Sequence, residues 1–110
     1  VVAIANGLEP DLIALTGDFV HAGKEWVPGC AAVLSGLRAR LGVFAVLGNH
    51  DHYRNAAPVV REGLTRAGIA VLTNARVILR QGGEELVVAG TGDYWRGKPD
   101  LRRALDGIRH

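Results

Sequence analysis

Methionine, cysteine and long apolar runs are scarce or missing in this sequence of 110 residues. There is no methionine and the chain begins with Val1, so we expect it to be a piece of a longer protein. The one cysteine, Cys30, excludes an internal disulfide framework. No apolar run approaches the roughly 18 residues that a membrane-spanning helix needs. Residues 1–8 also lack the charged start and long apolar core of a signal peptide.

Clustered positive charge is missing as well. The net charge is +2, and the 13 Lys and Arg residues are scattered along the chain. A nucleic-acid surface needs a basic patch with aromatic stacking platforms, whereas only Tyr94 and Trp95 lie next to a basic residue, Arg96. The sequence therefore predicts no nucleic-acid interface. Its 48% hydrophobic residues predict one globular domain with a single core.

Apolar runs broken by glycine and proline predict alternating helices and strands. The result is an α/β fold, in which a βαβαβ half is followed by a β-hairpin. A first helix should be closed by Gly7, because glycine commonly caps helix ends. The predicted strands are residues 12–15, 43–47, 69–72 and the hairpin 75–80 with 85–89, and the predicted helices are residues 1–6, 28–40, 56–67 and 100–106.

Polar side chains follow two of the predicted strands, in each case after a glycine. Asp18 follows the first strand, and Asn49, His50 and Asp51 follow the second. Ligands gather at the carboxyl ends of parallel strands, so these side chains should face one crevice. Carboxylate and amide oxygens bind hard or borderline cations, while His50 is able to bind a metal or donate a proton, with Asp51 orienting its ring. A two-metal phosphoryl-transfer centre needs such groups, and this sequence supplies part of the set.

Each of these motifs also has an ordinary structural interpretation. Gly-Asp and Gly-Asn are common turn dipeptides, and residues 50–52 alone would fit a solvated loop. Their conjunction at two strand ends, with one helix between them, favours a functional site. A nucleotide-binding α/β domain would instead need a glycine-rich phosphate loop after the first strand, and residues 16–19 do not form one.

The two motifs together resemble those of the calcineurin-like metallophosphoesterases, in particular the bacterial membrane-associated branch. The resemblance covers nearly the whole chain and implies that family's fold, two packed mixed β-sheets flanked by helices. It also implies a cytoplasmic location or a peripheral one at the membrane. The matching segments are residues 9–18, 42–51, 68–74 and 99–105.

The resemblance implies a role for each motif residue. Asp18 would bridge two divalent metal ions (Mn, Fe, Zn or Mg), and Asn49 would bind the second ion. His50 would contact the phosphate and protonate the leaving oxygen, and Asp51 would hold His50. The implied reaction is hydrolysis of a phosphomonoester or phosphodiester, with a small-molecule or lipid-linked substrate. The alternative is a non-catalytic scaffold of the same fold that binds proteins.

Two of the family's motifs are missing from the sequence. No Asp-x-His precedes Asp18, and no Gly-His-x-His follows the second motif. His110 follows Arg109 rather than an apolar strand and is a poor substitute. We therefore expect residues 1–110 to be the central part of a single domain, truncated at both ends and inactive alone.

Several further residues are weaker candidates. His21, His52 and Tyr53 lie close to the motifs in sequence and would either line the cleft or belong to ordinary loops. The segment 93–95 resembles a loop at the cleft edge, although a turn with Trp95 packed on the core is the favoured interpretation. Cys30 is expected to be a buried apolar residue rather than a nucleophile.

Overall fold

A computed structural model of the chain describes residues 1–21 and 23–108. His110 therefore lies outside the described residues. The elements in chain order are α1 (Val2–Gly7), β1 (Ile13–Leu15), a 3-10 helix (Lys24–Trp26), α2 (Val27–Leu34), β2 (Val43–Ala45), a second 3-10 helix (Asn49–Asn55), α3 (Ala57–Arg66), β3 (Ala70–Val71), β4 (Ala75–Gln81), β5 (Glu84–Gly90) and α4 (Leu101–Ala104).

The predicted βαβαβ half forms a parallel sheet. Its strand order is β1-β2-β3, with Leu15 opposite Ala45 and Phe44 opposite Ala70. Since β1 and β2 are parallel neighbours, their carboxyl ends lie at the same edge of the sheet, as the sequence predicted. Right after each of these two ends come the candidate site residues.

The predicted hairpin is an antiparallel pair of β4 and β5, with Val77 opposite Val88. Gly82 and Gly83 connect the strands and have φ angles of 59° and 84°. Two consecutive positive φ angles match the twist of the flanking strands, and glycine adopts them without a steric cost. The α/β fold class, with one parallel and one antiparallel sheet, is confirmed.

The hydrophobic core lies between the parallel sheet and the helices α2 and α3. Val43 and Ala45 of β2 are buried in it together with Val60 and Leu64 of α3. Phe44 is also buried but does not belong to this cluster, because successive side chains of a strand point to opposite faces. The middle strand is therefore covered on both faces, which fixes its register against β1.

Helix α2 ends at Leu34, six residues before the predicted end. Beyond it, the side chain of Asn6 bonds to the backbone: Nδ2 donates to the Gly36 carbonyl oxygen at 2.7 Å, and the Arg38 N–H donates to Oδ1 at 2.8 Å. The Gly36 carbonyl and the Arg38 N–H are therefore bonded to Asn6 and are not available for the backbone hydrogen bonds of a longer helix. The apolar spacing of the sequence does not reveal this contact, because Asn6 is far away in the chain.

Other element boundaries also differ from the prediction. Gly7 does not close α1 as a left-handed cap, because the helix includes it and continues into Leu8 with φ −77°. The predicted loop at 49–55 is a 3-10 helix with a kink at Tyr53 and Arg54. The third strand has only two residues, and α4 is a single turn capped by Asp100. Among the described residues, no helix has the length and apolar character needed to cross a bilayer.

Candidate functional site

The segments that follow β1 and β2 cross each other in direct contact. Gly17 has φ 108°, and a Cβ there would lie 2.6 Å from the Gly48 backbone nitrogen. A Cβ on Gly48 would in turn collide with the side chain of Asp18. Both positions thus need glycine because the backbones approach too closely for a side chain. This crossing brings the two sequence motifs together, as the strand order predicted.

A buried carboxylate ties the two segments to each other. Asp51 is 0% exposed and accepts four backbone hydrogen bonds. Its Oδ1 accepts from Phe19 N–H at 2.7 Å and Val20 N–H at 3.1 Å, and its Oδ2 accepts from Asp18 N–H at 2.8 Å and Gly48 N–H at 2.9 Å. Burying a charge is costly unless it is well bonded, and these four donors meet that condition.

This arrangement corrects the predicted contact of Asp51. The sequence predicted that its carboxylate would hold the His50 ring, whereas in the part of the chain that the structure describes it bonds to backbone N–H groups. The segment after β1 therefore gives its N–H groups to a protein carboxylate. They are not free to cradle a phosphate, which argues against the nucleotide-binding alternative.

The His50 ring is held by His21 instead. His50 Nδ1 lies 3.1 Å from the His21 carbonyl oxygen, and the two rings stack with centroids 4.9 Å apart at 24°. A carbonyl only accepts, so Nδ1 carries a hydrogen and donates it. The ring's other nitrogen, Nε2, is then the one available for chemistry. His21 therefore lies at the candidate site, in agreement with the first of its two predicted interpretations.

The two predicted metal ligands lie at the same crossing. Asp18 has φ 57°, is exposed, and accepts the His50 backbone N–H through Oδ1 at 3.1 Å. Asn49 is half-buried at the start of the 3-10 helix. Carboxylate and amide oxygens suit a divalent ion. Within residues 1–21 and 23–108, however, no three His, Cys, Asp or Glu side chains are grouped to hold a metal, so these two oxygens are a partial ligand set.

An aromatic and cationic rim extends the site beyond His50. The Tyr53 ring lies 4.9 Å from the His50 ring, and the Arg96 guanidinium carbon lies 5.3 Å from the centroid of Tyr53. His52 is not among the rings of this stack. The sequence singled out Tyr53 but missed Arg96. The sequence feature that could have indicated Arg96 is the pair of aromatic residues directly before it, Tyr94 and Trp95.

The remaining candidates have clear outcomes. Trp95 is 79% exposed and forms an edge-to-face pair with Tyr94, so the prediction that it packs on the core is wrong. Cys30 is half-buried. Burial, and secondarily the negative charge of Asp51, raise the pKa of its thiol. A raised pKa keeps the thiol protonated near neutral pH, as expected of an apolar residue rather than a nucleophile.

Comparison with known proteins identifies the family. The family model described as calcineurin-like phosphoesterase matches residues 2–103. This chain belongs to the calcineurin-like phosphoesterase family. The resemblance of the sequence motifs is thereby confirmed, and with it the kind of fold. Proteins of this family are phosphoesterases that use divalent metal ions, which agrees with the oxygen donors of Asp18 and Asn49.

Several curated relatives carry matching names. The chain is 37% identical to the phosphodiesterase YaeI of Escherichia coli over 87% of this chain and 37% of YaeI. It is 29% identical to the metallophosphoesterase YkuE of Bacillus subtilis, over 98% of this chain and 39% of YkuE. It is also 29% identical to a bovine transmembrane protein with a metallophosphoesterase domain, over 96% of this chain and 27% of that protein. No solved structure gave a significant match.

The match covers nearly all of this chain but only a part of each relative. It spans less than two fifths of each of the three proteins just named. The relatives thus have long regions outside the part that matches this chain.

Proposed function

We propose that the protein hydrolyses a phosphomonoester or phosphodiester at a two-metal centre to which this chain contributes Asp18, Asn49 and His50. The observation that supports this most is the Asp51 carboxylate with its four backbone donors. It fixes the segment carrying Asp18 against the segment carrying Asn49 and His50. Two oxygen donors and a ring nitrogen are then presented at one edge of the sheet.

Asp18 and Asn49 are the metal-binding residues of this proposal. Asp18 has a second carboxylate oxygen besides the Oδ1 that accepts the His50 N–H, which suits it to bridge two ions. Asn49 adds a neutral oxygen for the second ion. Divalent ions such as Mn, Fe, Zn or Mg would polarise the phosphoryl group and activate the attacking water.

His50 is the proposed catalytic acid. The His21 carbonyl holds Nδ1, so protonated Nε2 is the atom that gives its proton to the leaving oxygen. The oxygen of water bonds to phosphorus and its proton passes to the solvent. The bond from phosphorus to the leaving oxygen breaks, and the leaving alcohol takes the proton of His50. Asp51 is a positioning residue in this scheme, because its carboxylate bonds to the backbone of the two segments that carry Asp18 and His50.

The substrate class is proposed from the relatives' names. The name of YaeI as a phosphodiesterase supports a diester. Relatives named as transmembrane proteins support a lipid-linked substrate met at a membrane surface, with the protein itself cytoplasmic or peripheral. Small-molecule phosphoesters remain the simplest probes of the reaction.

The test uses the protein that contains this chain, loaded with manganese. Release of p-nitrophenol is measured from p-nitrophenyl phosphate and from its bis-ester, and bound metal is measured in parallel. Asp18→Asn should lose metal and nearly all turnover. His50→Asn should keep its metal while kcat falls, because its role lies in the transition state. The loss should be smaller than the roughly 10²–10⁴-fold typical of general acid catalysis, because p-nitrophenol leaves readily as its anion near neutral pH.

His52→Asn is the matched control, since His52 lies in the same 3-10 helix but outside the ring stack. It should leave kcat and metal content nearly unchanged. If His50→Asn strips the metal, the assignment of His50 as an acid is wrong. If the metal-loaded protein hydrolyses neither ester, the scaffold alternative replaces the proposal.

A further inference from the structure

A cation without an ion pair stands at the rim of the site. The Arg96 guanidinium lies over the Tyr53 ring, which is the next ring along from His50. The ion pairs among the described residues involve other arginines, and Arg96 takes part in none of them. An exposed guanidinium that contacts an aromatic face and takes part in no ion pair keeps its N–H groups available for an anion.

The turn that carries Arg96 is built by hydrogen bonds. The Asp93 carboxylate accepts from the N–H of Trp95 at 3.0 Å and from the N–H of Arg96 at 2.9 Å. The Asp93 carbonyl accepts from the Gly97 N–H at 2.8 Å. The side chain and the carbonyl of Asp93 together hold the backbone of Arg96 in one conformation.

Asn74 anchors the same loop at both of its ends. Its Oδ1 accepts from Gly92 N–H at 3.0 Å and Asp100 N–H at 2.8 Å, and its Nδ2 donates to the Lys98 carbonyl oxygen at 3.0 Å. The loop is thus fixed to the end of the parallel sheet. The backbone of Arg96 therefore has a defined position, and less conformational entropy is lost when its side chain binds a ligand.

The position of Arg96 relative to His50 indicates which part of a substrate it meets. In the proposed reaction, on which this inference rests, His50 gives its proton to the leaving oxygen. The row of side chains that begins at His50 and continues through Tyr53 to Arg96 would then lie along the leaving group. We propose that Arg96, held against Tyr53, binds an anionic group on the leaving portion of the substrate, either a phosphoryl group or a carboxylate. The planar guanidinium fits both oxyanions with paired N–H donors.

A series of aryl phosphates that differ only in the para group of the leaving phenol tests this. The para group is carboxamide, carboxylate or phosphonate, so it is neutral, singly charged or more highly charged at similar size. Each compound is used as the monoester and as its methyl diester, and kcat and KM are measured for the metal-loaded protein. The carboxylate and phosphonate members distinguish the two sources of the anion.

The variants are Arg96→Gln, Arg96→Lys and the control Arg61→Gln. Arg61 is an exposed arginine of α3. Its replacement by glutamine removes the same charge at a position away from the site. Arg96→Gln should lower kcat/KM about tenfold for the anionic members, mainly through KM, and leave the carboxamide member unchanged. For Arg96→Lys, kcat/KM should lie between the values of the wild type and Arg96→Gln, because lysine keeps the charge but lacks the paired N–H donors of the guanidinium. Arg61→Gln should match the wild type throughout.

A binding measurement separates this proposal from the proposed reaction. The leaving-group products 4-hydroxybenzoate and 4-hydroxyphenylphosphonate are titrated by calorimetry into the metal-loaded protein and its Arg96→Gln variant. At least one should bind about tenfold more weakly to Arg96→Gln than to the wild type. If neither binding nor the charge preference changes in Arg96→Gln, the Arg96 proposal is overturned and hydrolysis stands. If no ester is hydrolysed but product binding depends on Arg96, the reaction is overturned and the anion site stands.

Discussion

Asp51 and Asn74 each tie distant segments of this protein together, and they do so in opposite surroundings. Asp51 is charged and fully buried, and its four bonds join the segments after β1 and β2. Asn74 is neutral and half-buried, and its three bonds hold the loop that carries Arg96. Both replace regular secondary structure by side-chain bonds to the backbone.

The two side chains differ in how far water could replace their hydrogen bonds if they were removed. Around Asp51 the freed N–H groups would be buried at Val20 and partly buried at Asp18, Phe19 and Gly48, and a buried N–H group without a partner costs free energy. Around Asn74 water reaches much of the loop and substitutes for the lost bonds. The edge that presents the proposed metal ligands is therefore fixed by burial, whereas the rim that presents Arg96 is open to adjustment.

Replacing Asp51 should have the largest effect. Asp51→Ala leaves four backbone donors without their acceptor, so we expect the free energy of unfolding to fall by about 4 kcal/mol or more. Urea denaturation followed by circular dichroism measures this. Asp106→Ala, an exposed aspartate, is the control and should change stability by less than about 0.5 kcal/mol. Similar losses in both variants would mean that the buried carboxylate has no special part in the fold.

Adding a side chain at Gly48, where the two segments cross, should have the next largest effect on stability. A methyl group on Gly48 collides with Asp18, so Gly48→Ala should cost about 2–3 kcal/mol by forcing the two segments apart. Gly29, where a Cβ meets nothing within 4 Å, offers Gly29→Ala as the control, which should be neutral or stabilising. Weaker metal binding should accompany the loss only in Gly48→Ala. Equal behaviour of the two variants would contradict the contact.

Removing the Asn74 bonds should have a smaller and more local effect. Asn74 has φ 51°, so Asn74→Gly removes the side chain without adding backbone strain, whereas Asn74→Ala adds it. We expect Asn74→Gly to cost about 1–2 kcal/mol and to speed amide hydrogen exchange in residues 92–100. Exchange in the segment after β1 should stay slow. Unchanged exchange at 92–100 would show that Asn74 does not hold that loop.

The thiol of Cys30 should give the smallest effect. Its pKa is raised above the ordinary value of 9.0 by burial and by the charge of Asp51. As pH rises past that value the unfolded chain loses its thiol proton first, so stability falls with increasing pH. Urea unfolding of the wild type and of Cys30→Ala at about pH 8 and pH 10 measures the difference. A pH dependence that is identical in both proteins would contradict the shift.

Much of the fold could be predicted because its signals are local. Apolar runs placed the parallel strands, and consecutive glycines placed the hairpin turn at Gly82 and Gly83. The end of α2 could not be predicted, since it depends on Asn6, which is distant in sequence from Gly36. Asp18, Asn49 and His50 were found by their place after strands, but their roles in metal binding and proton transfer stay predictions.

The sequence by itself determined the order of the α-helices and β-strands, the residues that follow the strand ends and the family that the motifs resemble, because each depends on neighbouring residues or short spacings. Only the tertiary structure decided the partners of those residues. It gave Asp51 to four backbone donors rather than to His50, and it placed Arg96 over Tyr53. The physical reason is that hydrogen bonds between segments some thirty or more residues apart depend on how the sheet and loops pack.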